Sequence, residues 1–170
     1  MRILIGAAAL VLSLGAGAAQ TAATHDADVI NNKGETIGKA SLRGTGGATV
    51  IRLALKPGAL APGWHGIHLH AVGDCSDHDK FMASKGHVNH NEKKHGLLNA
   101  EGPDGGDLPN VFAASDGSVN AEVATATPLI GDKGLKDADG SALVIHANED
   151  DHVSQPIGGA GARVACALVK

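Results

Sequence analysis

Aromatic side chains are almost missing from these 170 residues: there is no tyrosine, one tryptophan (Trp64) and two phenylalanines (Phe81 and Phe112). A core must therefore be assembled from Val, Ile, Leu and Ala, and no set of stacking rings is at hand to bind nucleobases. A basic stripe is missing too. The formal net charge is −4 and there is no polybasic tail, which argues against nucleic acid and membrane surfaces as partners. After the first twenty residues no run is apolar enough to cross a bilayer. No segment keeps a sustained helical period, which removes helix bundles. Cysteine is scarce, with Cys75 and Cys166 alone.

What is present begins with a leader. Arg2 precedes an apolar stretch from Ile3 to Leu14, and Ala16-Gly17-Ala18 offers small residues for cleavage. This reads as a secretory signal peptide over 1–19, cut between 18 and 23, followed by one domain over 24–170. The protein is thus expected to be exported. An even cysteine count in an exported chain favours one disulfide, with two free thiols or an intermolecular bridge as the alternatives.

Short apolar stretches then alternate with turn signals. Strands are expected at Asp28–Asn31, Thr36–Arg43, Ala48–Leu55, Gly66–Ala71, Ser118–Ala126, Ser141–His146 and Arg163–Val169. Turn chemistry separates them at Asn32-Lys33-Gly34, Gly44–Gly47, Lys56-Pro57-Gly58, Asp116-Gly117, Asp139-Gly140 and Gly158-Gly159. Many short strands with Gly-rich turns predict an antiparallel sandwich or barrel. The stretch from Cys75 to Val111 is the exception, a long segment with little strand or helix character. Such a loop inside a compact domain needs a function or something to hold it.

Chemistry concentrates around that loop. In Gly66-Ile67-His68-Leu69-His70 the two imidazoles project from one face of a strand, as metal ligands or as a wet surface. His87, His95, Asp104 and Asp107 follow at spacings of eight, nine and three, and His146 ends an apolar strand. Taken singly, each has a bland reading, since turns favour Asp and solvent favours His beside Lys93 and Lys94. Taken as a set, His68, His70, His87 and His146 supply four imidazoles that suit Cu(II). His87, His95, Asp104 and Asp107 supply a mixed nitrogen and oxygen set that suits Zn(II). His87 belongs to both and has two ring nitrogens, so it can bridge.

These residues, with Gly73-Asp74-Cys75, Gly86-His87-Val88-Asn89, Lys94-His95-Gly96, Gly106-Asp107-Leu108-Pro109-Asn110 and Gly161-Ala162-Arg163-Val164-Ala165-Cys166, resemble the copper/zinc superoxide dismutases, the bacterial periplasmic branch above all. The resemblance implies an eight-stranded Greek-key β-barrel, sandwich-like, with long metal-binding loops. It implies copper on His68, His70, His87 and His146, zinc on His87 and His95 with Asp107, and a Cys75–Cys166 disulfide. It implies superoxide as substrate, Arg163 as the group that attracts and orients it, and His87 as a catalytic proton carrier. Asp150 matches the outer aspartate that hydrogen-bonds one ligand of each metal. The resemblance also implies a periplasmic location, and it leaves a homodimer and a monomer both open.

One position departs. Asp104 stands where the family has its third zinc histidine, and a carboxylate is an acceptable zinc ligand. Asp104 is therefore read as the fourth zinc ligand, with His90 as its substitute. His65, His78 and His152 are read as surface or supporting groups. The rival function is a periplasmic copper/zinc-binding protein on the same fold with little dismutase turnover; the presence of Arg163 favours the enzyme.

Overall fold

Alternation writes the first half of the chain into a sheet. In β3 (Thr49–Leu55) the side chains of Thr49, Ile51, Leu53 and Leu55 are buried, while Val50, Arg52 and Ala54 are exposed. A strand with that pattern presents one face to the core and one to water. β1 (Ala23–Asn31) and β2 (Thr36–Gly44) pair antiparallel through a tight turn, where Gly34 adopts a φ of 74° that suits glycine. β2 pairs with β3, so the three form a meander. The computed structural model describes residues 21–45 and 47–170, so the leader expected at 1–19 lies outside the described residues.

The later elements are β4 (Gly63–His65), β5 (Ile67–His70), β6 (Val111–Ala113), β7 (Val119–Thr125), β8 (Ser141–His146) and β9 (Arg163–Val169). No α-helix occurs among the described residues, only a 3₁₀ turn at Met82–Ser84. Seven strands share one antiparallel sheet in the order β5-β8-β9-β1-β2-β3-β7. β4 and β6 pair with each other. β4 runs on into β5 across Gly66, and β6 turns tightly into β7 through Ala114–Ser118. The curled sheet thereby closes into a Greek-key barrel of eight strands, counting β4 and β5 as one strand that serves both sheets.

The seven expected strands are all present, two of them (β8 and β9) with the expected bounds. β1 starts earlier, at Ala23, because its pairing with β2 continues to Gly44. β4 and β6 were not anticipated. Each has three residues, and Trp64 and Phe112 point outward and stack edge to face at 5.1 Å, so neither shows an inward apolar pattern.

The barrel interior is aliphatic, with Val29, Leu42, Ile51, Ile67, Leu69, Leu143 and Ile145 among its buried members. A second apolar cluster lies outside the sheet. Phe81, fully buried, packs there with Ala142 and Val144 of β8 and with Cys75 and Cys166, which form a disulfide. This cluster and its disulfide anchor one end of the long loop to β8 and β9. The bridge spans 91 residues of sequence.

Closing so long a loop removes much denatured-chain entropy. The Cys75→Ser/Cys166→Ser variant is expected to lose on the order of 4 kcal/mol of stability. Urea denaturation of metal-free protein checks this, and a loss well under 1 kcal/mol would contradict it.

Candidate metal centre

β5 is where the centre starts. Its odd residues, Ile67 and Leu69, enter the barrel core, so His68 and His70 face the other way, under the loop. All four residues are buried, because the loop covers the outer face. The loop backbone also runs along the edge of β5 as though it were another strand. Leu69 N–H donates to Gly106 O at 2.9 Å and Val88 N–H to Leu69 O at 2.8 Å. This pairing sets His87 opposite His70 and Asp107 opposite His68. It needs glycine at 106, since a Cβ there would overlap the Leu69 carbonyl.

Three donors, from His68, His70 and His146, lie within 4.8 Å of one another. The His87 ring centroid is 4.3 Å from that of His68 and 5.2 Å from that of His70. In each of three rings the second nitrogen is committed elsewhere. His70 Nδ1 donates to Lys85 O at 2.8 Å, His146 Nδ1 to Gly161 O at 3.0 Å, and His68 Nε2 to Asp150 Oδ2 at 2.7 Å. That leaves His68 Nδ1, His70 Nε2 and His146 Nε2 as lone pairs, and they are buried without a hydrogen-bond partner, as is His87 Nε2. Buried polar atoms without partners are costly, and four in one place mark a ligand set. Burial keeps the rings of His68, His70 and His146 neutral. It lowers His70 to about 2, aided by the charge of Arg163, and His146 to about 3, aided by His68. Neutral imidazoles are what a copper ion requires.

The second set is built oppositely. His87, His95, Asp104 and Asp107 offer donors within 4.8 Å of one another. Asp104 Oδ2 is 3.0 Å from His87 Nδ1, and Asp107 Oδ1 is 2.5 Å from His95 Nδ1. Each carboxylate spends its other oxygen on the backbone: Gly106 N–H donates to Asp104 Oδ1, and the N–H groups of Gly96 and Asp104 donate to Asp107 Oδ2. His95 Nε2 donates to Asp150 Oδ1 at 3.2 Å. Only positive charge can sit among these atoms, carried by protons or by a cation. Burial opposes protonation of His95, yet Asp107 and Asp150 outweigh it and raise its pKa to about 10. Burial likewise opposes a raised His87, and Asp104 and Asp107 win there too. Two nitrogens and two carboxylate oxygens suit Zn(II).

Arg163 stands beside the first set. Its guanidinium donates to Phe81 O at 2.7 Å, Ser84 Oγ at 3.1 Å and Lys85 O at 2.7 Å. It lines a cavity of about 370 Å³ together with His146. Lys85, at φ 63°, is in the left-handed region, and its carbonyl receives both His70 and Arg163. Asp150, 2% exposed, joins the two sets through His68 and His95. His90 is exposed and belongs to neither group among the described residues.

Two residues support the centre, and only one of them, His65, has a role read from the sequence, as a surface or supporting group. His65 is buried, with Nδ1 2.7 Å from His146 O and Nε2 2.8 Å from Ala61 O. Asn110 clamps Asp150 by accepting from its N–H and donating to its carbonyl, at 3.0 and 2.8 Å. The Gly-Asp-Leu-Pro-Asn motif contained the signal for Asn110, and the burial of His65 selects the supporting place over the surface one.

A Greek-key barrel carrying adjoining imidazole and carboxylate sets on its outer face defines a binuclear metalloprotein. The family described as copper/zinc superoxide dismutase (SODC) matches residues 36–169. The superoxide dismutase [Cu-Zn] of Caulobacter vibrioides is 51% identical over 128 residues, 71% of each chain. Superoxide dismutase [Cu-Zn] 1 of Aquifex aeolicus is 43% identical over 159 residues, 89% of this chain and 90% of that one. The crystal structure of a superoxide dismutase-like protein from Bacillus subtilis superposes with a TM-score of 0.79 at 32% identity, covering 86% of this chain and 98% of the other. The chain belongs to the copper/zinc superoxide dismutases, whose cofactors are copper and zinc.

Without metal, pH acts on stability in two directions. His70 and His146 refuse protons that the unfolded chain accepts below pH 6.5, so the stability they contribute above 6.5 is lost as pH falls toward 3. The contribution of His95 is complete below pH 6.5 and is lost as pH rises through about 10. Metal-free protein is therefore expected to be most stable close to neutrality. Urea midpoints at about pH 4, 7 and 10 check this, and a midpoint that climbs from 7 to 4 would contradict it.

Proposed function

We infer that the chain is an exported superoxide dismutase in which His68, His70, His87 and His146 hold copper, and His87, His95, Asp104 and Asp107 hold zinc. The observation that carries this reading is the convergence of four unpartnered, buried ring nitrogens beside an anchored arginine. Two superoxide anions and two protons become dioxygen and hydrogen peroxide. Copper bound there supplies one-electron redox chemistry, and zinc supplies a fixed positive charge beside His87.

The side chains do the rest. Arg163 places a guanidinium at the cavity wall beside His146, where it attracts and orients an anion. Its three hydrogen bonds hold that charge still, so little ordering remains to be done when the anion arrives. His87 has Nδ1 against Asp104 and Nε2 unpartnered among the imidazoles, so it would hold both metals, and its Nε2 would hold a proton for the product only while not holding copper. Asp150 keeps His68 and His95 in the tautomers that aim Nδ1 inward. The anion-orienting arginine separates this reading from a carrier that only stores metal.

Export to the periplasm and a homodimer belong to the same reading, and cell fractionation and sedimentation test them. Protein loaded with both metals should dismute superoxide, and Arg163→Ala should lower kcat/KM by roughly an order of magnitude or more with copper content unchanged. Copper bound without turnover would sink the enzyme reading. Asp104→Ala should lower bound zinc far more than His90→Ala does; metal analysis showing the reverse would overturn the ligand assignment.

A further inference from the structure

Two cavities reach the two halves of the centre from different sides. The one beside His146 and Arg163 shares no lining residue with a larger cavity of about 580 Å³. The larger cavity has Asp104 and Asp107 in its wall. It is also lined by the end of β7 and the three residues that follow it, 124–128, and by His90 and Lys133. His90 is exposed, and it is the one imidazole on this wall. A neutral imidazole suits zinc. Each wall carboxylate fixes one oxygen on backbone N–H groups and keeps the other for the His87 and His95 nitrogens. Among the donors that line this space His90 is exposed and the two carboxylates are buried, and Arg163 is not part of its lining.

We propose that this cavity is the zinc port of the protein, with His90 as the first docking ligand and Asp104 and Asp107 as the receiving ones. Zinc then exchanges independently of the copper side. The proposal rests on the reading of Asp104 and Asp107 as zinc ligands. It also gives His90 a part: a ligand in transit, outside the final set.

Zinc uptake by the metal-free protein, and zinc release to a chromogenic chelator from protein loaded with both metals, test the port in stopped flow. Ala126→Phe puts bulk on the cavity wall at an exposed position that touches no ligand. It should slow zinc uptake and release several-fold, with equilibrium zinc affinity and the rate of copper loading unchanged. Ala124→Phe, also exposed and on the same wall, is a second obstruction should the first misfold. His90→Ala should slow uptake several-fold and leave equilibrium affinity alone. Wild-type zinc rates in both obstructed proteins overturn the port, as does an equal slowing of copper loading. Wild-type zinc affinity in Asp104→Ala overturns the ligand reading instead, a separate result because the obstructed proteins keep Asp104.

Discussion

The centre depends on one buried carboxylate. Asp150 accepts from His68 through one oxygen, and from His95 and the His152 N–H through the other. An ionised carboxylate at that depth is costly unless donors surround it. Burial pushes its pKa up, and the bonds from His68 and His95 hold it well below the usual carboxylate range. The charge thus dictates which nitrogen of each ring carries hydrogen, and so where both lone pairs point. Asn110 fixes Asp150 from behind, and the missing side chain of Gly158 leaves room for the Asp150 carboxylate.

Around this carboxylate the two sets differ in charge. In the imidazole set, burial favours the neutral rings of His68, His70 and His146, and His87, shared with the carboxylates, is pulled the other way. The zinc set carries two carboxylates that demand compensation from within. Asp104 accentuates the contrast, since it places a second anion where the family has an imidazole. The loop can hold so much polarity because apolar contacts fasten it first. Phe81 and the disulfide pin its start to β8 and β9, and Val88 and Leu108 enter the barrel core on either side of the ligands.

Much of this was legible in the residue order. Alternation located the long strands, and β8 and β9 agree to the residue because each has a continuous apolar run that begins after a turn signal or a charged residue. β4 and β6 were not legible: three residues are too few to show a period, and their rings face water. The ligand sets were visible as types and spacings, and the resemblance supplied Asp150 and Arg163. Placement was not visible. Nothing in the sequence tells that the loop backbone pairs with the edge of β5, or that Lys85 turns one carbonyl toward both His70 and Arg163. The partners of His65 were hidden for a related reason, since they are backbone carbonyls, which leave no trace in residue types.

The loop that lies along β5 has a mechanical consequence. A barrel has no free edges only while every strand has two neighbours, and one neighbour of β5 is this irregular segment. The barrel therefore has a seam, and the metal centre lies across it like a bolt. Any ion that binds the closed seam and not the open chain adds to the closing free energy, by about 2.7 kcal/mol when its free concentration is a hundred times its dissociation constant. Metal supply thus sets how long the barrel stays shut, as well as whether it turns over.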